Sequence, residues 1–160
     1  MSTLPYRRNV GAVLFNRAGR VFVARRADLP NVEGPAGGWQ LPQGGIDADE
    51  DPHVAIFREL AEEIGTANAE LLAEHPGWLT YDLPSHLVGV ALGGKYRGQT
   101  QKWFALRFLG RDAEIDLTRD HTPEFDAWRW AALAELPALA VGFKRPIYAV
   151  LARDFARFAG

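Results

Sequence analysis

The sequence predicts an α/β fold in one domain, on three observations: the chain length, a succession of short β-prone runs, and two segments of helical period. The chain has 160 residues, and domains usually take about 100 to 200, so residues 1–160 are expected to form one unit. A composition of 48% hydrophobic, 11% aromatic and 24% charged residues is globular and too apolar for disorder. A chain of this size buries roughly two-thirds of its unfolded surface and needs no covalent staple.

Residues 10–15 and 21–24 are β-prone and flank Asn16-Arg17-Ala18-Gly19, so they read as a hairpin. Residues 28–38 hold two Pro and three Gly in eleven positions, which sustains neither periodicity and predicts an exposed loop leading to the short apolar stretch 39–41. Further strands are expected at 78–82, 86–92, 101–109 and 128–130, separated by turn clusters such as 93–98. A helix over about 146–158 follows from Ile147, Val150, Leu151, Phe155 and Phe158 at three- and four-residue steps, with Pro146 in its first turn. The other helix spans roughly 52–64: Asp51 has the form of an N-cap, Pro52 takes the first helical position, and Gly65 stands where a left-handed stop belongs.

Composition also excludes function classes. The chain has no cysteine, which removes disulfides, a cysteine nucleophile, thiolate zinc sites and iron–sulfur ligation, and fits a cytoplasmic protein. A net charge of −2 argues against a surface that coats DNA or another long nucleic acid, or an anionic membrane. The apolar stretch after Arg7 and Arg8 is too short for a signal peptide, and no run approaches a membrane span. A monomer or small homo-oligomer is expected. His53, His75, His86 and His121 form no metal-spaced pair.

Turned at about 100° per residue, the helix over 52–64 puts Phe57, Leu60, Ala61 and Ile64 in one stripe and gathers Glu59, Glu62 and Glu63 on the other side. Like charges three and four apart cost about 0.2 to 0.5 kcal/mol per pair unless a cation offsets them. Hard carboxylate oxygens without His or Cys suit Mg²⁺ or Mn²⁺. On the glutamates alone an ordinary solvated face is the simpler account.

The surrounding pattern changes that account. Gly44, Glu50, Arg58, Glu59, Leu60, Glu62, Glu63 and Gly65 fall at the offsets G-x(5)-E-x(7)-R-E-U-x-E-E-x-G-U, where U is a bulky aliphatic residue; the stretch 44–66 meets eight of nine specified positions over 23 residues and departs only at Thr66. It resembles the Nudix box. The resemblance implies an α/β/α sandwich with a mixed sheet, in which the box forms a loop–helix–loop. It also implies hydrolysis of a nucleoside diphosphate linked to another moiety, with a divalent cation, Mg²⁺ or Mn²⁺, as cofactor. By position Glu59, Glu62 and Glu63 would be metal ligands, with Gly44 at the metal or phosphate, and one of the carboxylates would activate water. Arg58 completes the catalytic set by holding Glu50 and the helix in register. Glu124, in a loop ahead of a strand, would be a further carboxylate on the metal.

The resemblance extends over blocks 6–11, 39–45, 78–84, 98–104, 124–130 and 143–146 to one subgroup of the family. That subgroup holds bacterial RNA 5′-pyrophosphohydrolases and asymmetric diadenosine tetraphosphate hydrolases. The partner it implies is the 5′ end of triphosphorylated RNA or a dinucleoside polyphosphate. Arg7, Arg26, Lys102, Lys144 and Arg145 would meet the polyphosphate, and Tyr81 and Phe143 would stack on a base. The loop 28–38 is longer than in the RNA-processing members. A nucleotide sugar or a modified nucleoside triphosphate is the alternative substrate, and a non-catalytic nucleotide-binding domain is a third reading that the intact glutamates oppose.

Overall fold

The computed structural model describes residues 3–26, 39–118, 125–140 and 142–159. Among them eight strands form one sheet: β1 (Tyr6–Phe15), β2 (Val21–Arg26), β3 (Trp39–Gln40), β4 (Gln43–Gly45), β5 (Ala69–Glu74), β6 (Leu79–Asp82), β7 (Gly98–Phe108) and β8 (Phe125–Ala131). The helices are α1 (Pro52–Ile64), α2 (Leu136–Leu139) and α3 (Arg145–Asp154). β1 and β7 run parallel through the centre from Tyr6↔Gly98 to Phe15↔Arg107, and the other pairings are antiparallel, so the sheet is mixed.

The expected hairpin is present, tied by Asn16, whose side chain accepts from the N–H groups of Ala18 and Arg20. Its strands pair only next to the turn, at Phe15↔Val21. Beyond that the strands part, and the segment 39–45 fills the gap: β3 pairs with β2, β4 pairs with β1, and Ala12 N–H donates to Pro42 O at the step between them. This wedge carries Gln43, Gly44 and Gly45 into the sheet.

Both faces are covered, which is why β1 and β7 are buried along most of their length. On one face Val13, Phe15, Val23 and Trp103 pack with Leu136, Ile147, Tyr148 and Leu151 of α2 and α3. On the other, Val10, Ala12, Leu14, Phe104 and Leu106 pack with Ala55, Ile56, Leu60 and Ile64 of α1.

Three sequence expectations are corrected. Residues 86–92, expected as a strand, form short 3-10 turns, with Gly89 and Leu92 at positive φ, and lay Leu87, Val88 and Leu92 over the α3-side core. The buried arc of α1 is Ala55, Ile56, Glu59, Leu60 and Ile64, while Ala61 is exposed and Phe57 half-buried. The helix has β4 along one flank, so the buried arc reaches round to its glutamates. The last helix stops at Asp154, and a 3-10 turn, Ala156–Phe158, completes the stretch. The loop 28–38 lies outside the described residues. No described helix is long and apolar enough to cross a membrane.

Candidate active site

Helix α1 begins and ends as its sequence requires. The Asp51 carboxylate accepts from the His53 N–H at 2.7 Å, and Gly65 closes the helix at φ 81°, ψ 0°. Three glutamates reach three environments from the last turns. Glu59 is buried, Glu63 half-buried and Glu62 exposed.

Arg58 ties this helix to the loop before it. Its guanidinium forms a two-point contact with Glu50, 2.7 Å on each arm, donates to Gly45 O at 2.9 Å and to Glu59 at 2.9 Å, and reaches Glu62 at 3.3 Å. Held by Arg58 and by the Asp47 N–H, Glu50 has its pKa drawn down to about 2. Burial pushes the Glu59 carboxyl up against the pull of Arg58, and the charge of Glu62 adds to the rise. Gly44 lies directly against the Glu59 carboxylate, and the backbone N–H of Gln43 donates to Glu63 at 3.2 Å.

Among the described residues no three His, Cys, Asp or Glu side chains converge on a point that would hold a metal ion, because Arg58 draws Glu59 and Glu62 while the Gln43 N–H draws Glu63. The donors nevertheless fit a hard divalent cation. All are oxygens, and one belongs to a desolvated carboxylate whose buried charge a cation would compensate. Glu124 lies outside the described residues.

A cationic and amide-rich half adjoins this acidic one. Arg7 projects over Gly45, donates to Gln99 Oε1 at 3.1 Å and acts electrostatically on Glu59. Tyr81 accepts a 2.6 Å hydrogen bond from Gln99 Nε2; its ring lies 5.5 Å from that of Phe143 and 5.9 Å from Lys144 Nζ. Lys144 also donates to Gln40 Oε1 at 3.4 Å. The charge of Arg26, the last residue of β2, is felt at the Tyr81 hydroxyl. Tyr81 is buried, 7% exposed, with its ring against Phe143 and Lys144, so no ring face is free and its hydroxyl is its polar group in this cluster.

Arg7, Arg26, Tyr81, Phe143 and Lys144 therefore gather, and Lys102 and Arg145 do not. Lys102 is buried on the α1 face, where Nζ meets Glu74 at 2.9 Å and His75 O at 2.8 Å. Strand alternation gives the opposite face to Gln101 and Trp103. Arg145 is exposed and donates to Pro137 O at 3.0 Å. Sequence reasoning missed Asn9, Gln40, Gln43, Gln99 and Gln101, all buried polar residues. A signal existed in Gln99 and Gln101, two amides at strand spacing beside an apolar run.

The comparisons agree with this architecture. The NUDIX domain profile matches residues 5–151. An RNA pyrophosphohydrolase of Gluconacetobacter diazotrophicus is 63% identical over 158 residues, covering 98% of this chain and 95% of that protein. One from Acidiphilium cryptum is 62% identical over 160 residues, covering 99% and 94%. Among solved structures, a MutT protein from Methanosarcina mazei superposes with a TM-score of 0.67 at 20% identity, covering 97% of this chain and 99% of that one, a likeness of fold. With eight of nine box positions met and a family match over most of its length, the chain belongs to the Nudix family.

Proposed function

We propose that this protein is a Mg²⁺-dependent RNA 5′-pyrophosphohydrolase, converting a 5′-triphosphate end to a monophosphate with release of pyrophosphate. One observation carries the reading: identity of 63% along 98% of the chain to a protein of that name. The place of such an enzyme is the cytoplasm, with primary transcripts.

In this reading Glu59, Glu62 and Glu63 would hold the cation with the backbone at Gly44, and Glu124 would add to them. When bound, the cation neutralises phosphate charge and acidifies water. The protein's own groups do the rest. Arg58 holds Glu59 and Glu62 close to Gly45 and balances their charge, and these carboxylates would pass from the guanidinium to a bound cation. Arg7 and Lys144 neutralise the phosphate chain, with Arg26 supporting them, and Phe143 offers its ring to a base. Water gives its hydroxyl to a phosphorus of the α–β bridge and its proton to a helix carboxylate, and the P–O bond of that bridge breaks, leaving a 5′-monophosphate end and pyrophosphate. Lys102 and Arg145 have no part in this account.

Diadenosine tetraphosphate carries the same purine and phosphate chain and would meet the same groups. The deciding experiment compares it with a short 5′-triphosphorylated RNA, with Mg²⁺ and with Glu62→Gln as the blank. RNA is expected to be the better substrate, yielding pyrophosphate. The Gln variant is expected to lose turnover by orders of magnitude while keeping its melting temperature, since Glu62 is exposed. Preference for the dinucleotide, or a variant that stays active, overturns the assignment.

A further inference from the structure

Between the acidic half and the cationic half runs a buried chain of carboxamides, Gln43, Gln101, Asn9 and Gln99, each at most 9% exposed. A carboxamide can turn either way, and its own shape does not say which end accepts. Here the two ends of the chain decide it. The Trp103 indole N–H can only donate, and it lies 3.3 Å from the inner end of the Gln101 amide, so that end is the carbonyl. The Gln101 amino group must then face oxygens, that of Gln43 at 2.5 Å and that of Asn9 at 3.1 Å. The Asn9 amino group is thereby turned to Gln99 Oε1, at 2.9 Å. That same oxygen receives Arg7, which also can only donate, so both ends prescribe one direction. Gln99 has its amino group left for the Tyr81 hydroxyl oxygen. A hydroxyl whose oxygen accepts has its own proton to give to a ligand.

We infer that Gln101, oriented by the Trp103 indole, is a positioning residue that sets the direction of this amide chain, keeping both Arg7 and the Tyr81 hydroxyl as donors toward an anionic phosphate chain. The inference rests on the reading of this half of the site as phosphate-binding. Trp103 and Gln101 need not touch the ligand; they act through Asn9 and Gln99. Position explains the burial, because exchange with water would let each amide turn freely.

Gln101→Glu tests it. A carboxylate still accepts from Trp103 but cannot donate to Asn9 or Gln43. Asn9 must then turn its amino group inward and show its oxygen to Gln99. Either two oxygens face each other there, or Gln99 turns over, takes the Tyr81 proton inward and confronts Arg7 with its own N–H groups.

The measurement is a double-mutant cycle of Gln101→Glu with Tyr81→Phe. It reads kcat and KM on a short 5′-triphosphorylated RNA and the Kd of inorganic tripolyphosphate, with melting temperature as the check on folding. Gln101→Glu is expected to raise KM and the tripolyphosphate Kd together by about tenfold or more, with a much smaller change in kcat. In the Tyr81→Phe background the same substitution should have an effect at least about three times smaller, the coupling that a shared path requires. Equal effects in both backgrounds, or an unchanged Kd in a folded variant, overturn the inference. Should the Glu variant not fold, Gln101→Leu removes the donor without adding charge, and the cycle is read with it in the same way. If the wild type leaves RNA intact yet shows the coupled loss of tripolyphosphate binding, the proposed substrate falls and the positioning role stands. If it hydrolyses RNA and the cycle is additive, only the positioning role falls.

Discussion

At Gly44 the box glycine lies against the Glu59 carboxylate. A β-carbon there would overlap both carboxylate oxygens of Glu59. The obstacle is the far end of a flexible side chain rather than backbone, so Gly44→Ala should fold normally and displace Glu59 instead. A shift of about 1 Å in a catalytic group costs roughly a hundredfold in rate. Gly44→Ala is therefore expected to lower kcat by about that factor with the melting temperature held. A variant of full activity would mean that Glu59 does not work from its place against Gly44, and one that unfolds would mean that Gly44 serves packing alone. Arg58 makes a complementary point at the same scale: with three donor nitrogens engaged by Glu50, Gly45, Glu59 and Glu62, it holds the loop and the helix together as one body.

Elements explain what the sequence could disclose. Helix α1 is local: its cap, its first proline, its stop and its glutamates all lie within 51–65, so its bounds and its motif can be read without knowing the fold. Gly65 makes that testable, because at φ 81° a β-carbon is strained and would also stand 2.7 Å from Asp116 O. Gly65→Ala should destabilise the protein by about 1 to 3 kcal/mol, seen as a melting temperature several degrees lower. An unchanged melting temperature would mean that the helix end tolerates another closure. The amide chain is not local. Asn9 meets residues 90 and 92 positions away, and Gln101 meets Gln43 at a separation of 58. Lys102 and Gln101 differ by one residue and face opposite sides of the sheet, a parity that depends on which face α1 occupies. Residues 69–74 mislead in the other direction, since Ala-Glu-Leu-Leu-Ala-Glu is built of helix formers, yet pairing with β7 makes it a strand.

Among the described residues many charges are balanced locally. Arg25, Arg58, Arg97, Lys102, Arg129 and Arg153 each stand in an ion pair. Two of the carboxylates so held contribute to stability in acid. Asp154, between Arg153 and His75, and Glu50, on Arg58, both have their pKa drawn down to about 2 from ordinary values of 3.8 and 4.5. The folded state holds these protons less tightly than the unfolded state, so their stabilisation is complete above about pH 4.5 and is lost as pH falls toward 2. Denaturation midpoints followed over that range should decline, and Asp154→Asn should flatten the part below pH 4. A variant with the wild-type slope would remove Asp154 from that account.

The same local balance bears on how RNA is held. Binding to long nucleic acid draws on neutralised phosphates, each adding to the salt dependence. The net charge is −2, and Arg25, Arg97 and Arg129, on the surface beyond the cluster of Arg7, Arg26 and Lys144, are each matched by a carboxylate. Recognition should therefore be confined to the 5′ end. Extending a triphosphorylated RNA from a few nucleotides to about twenty should change KM by less than about threefold, and raising salt should weaken short and long substrates alike. If affinity instead grows steadily with length and the longer RNA is the more sensitive to salt, downstream phosphates are being neutralised. The substrate would then lie across a surface well beyond the cluster around Tyr81, and exposed cations outside that cluster, Arg145 among them, would form the track that carries it.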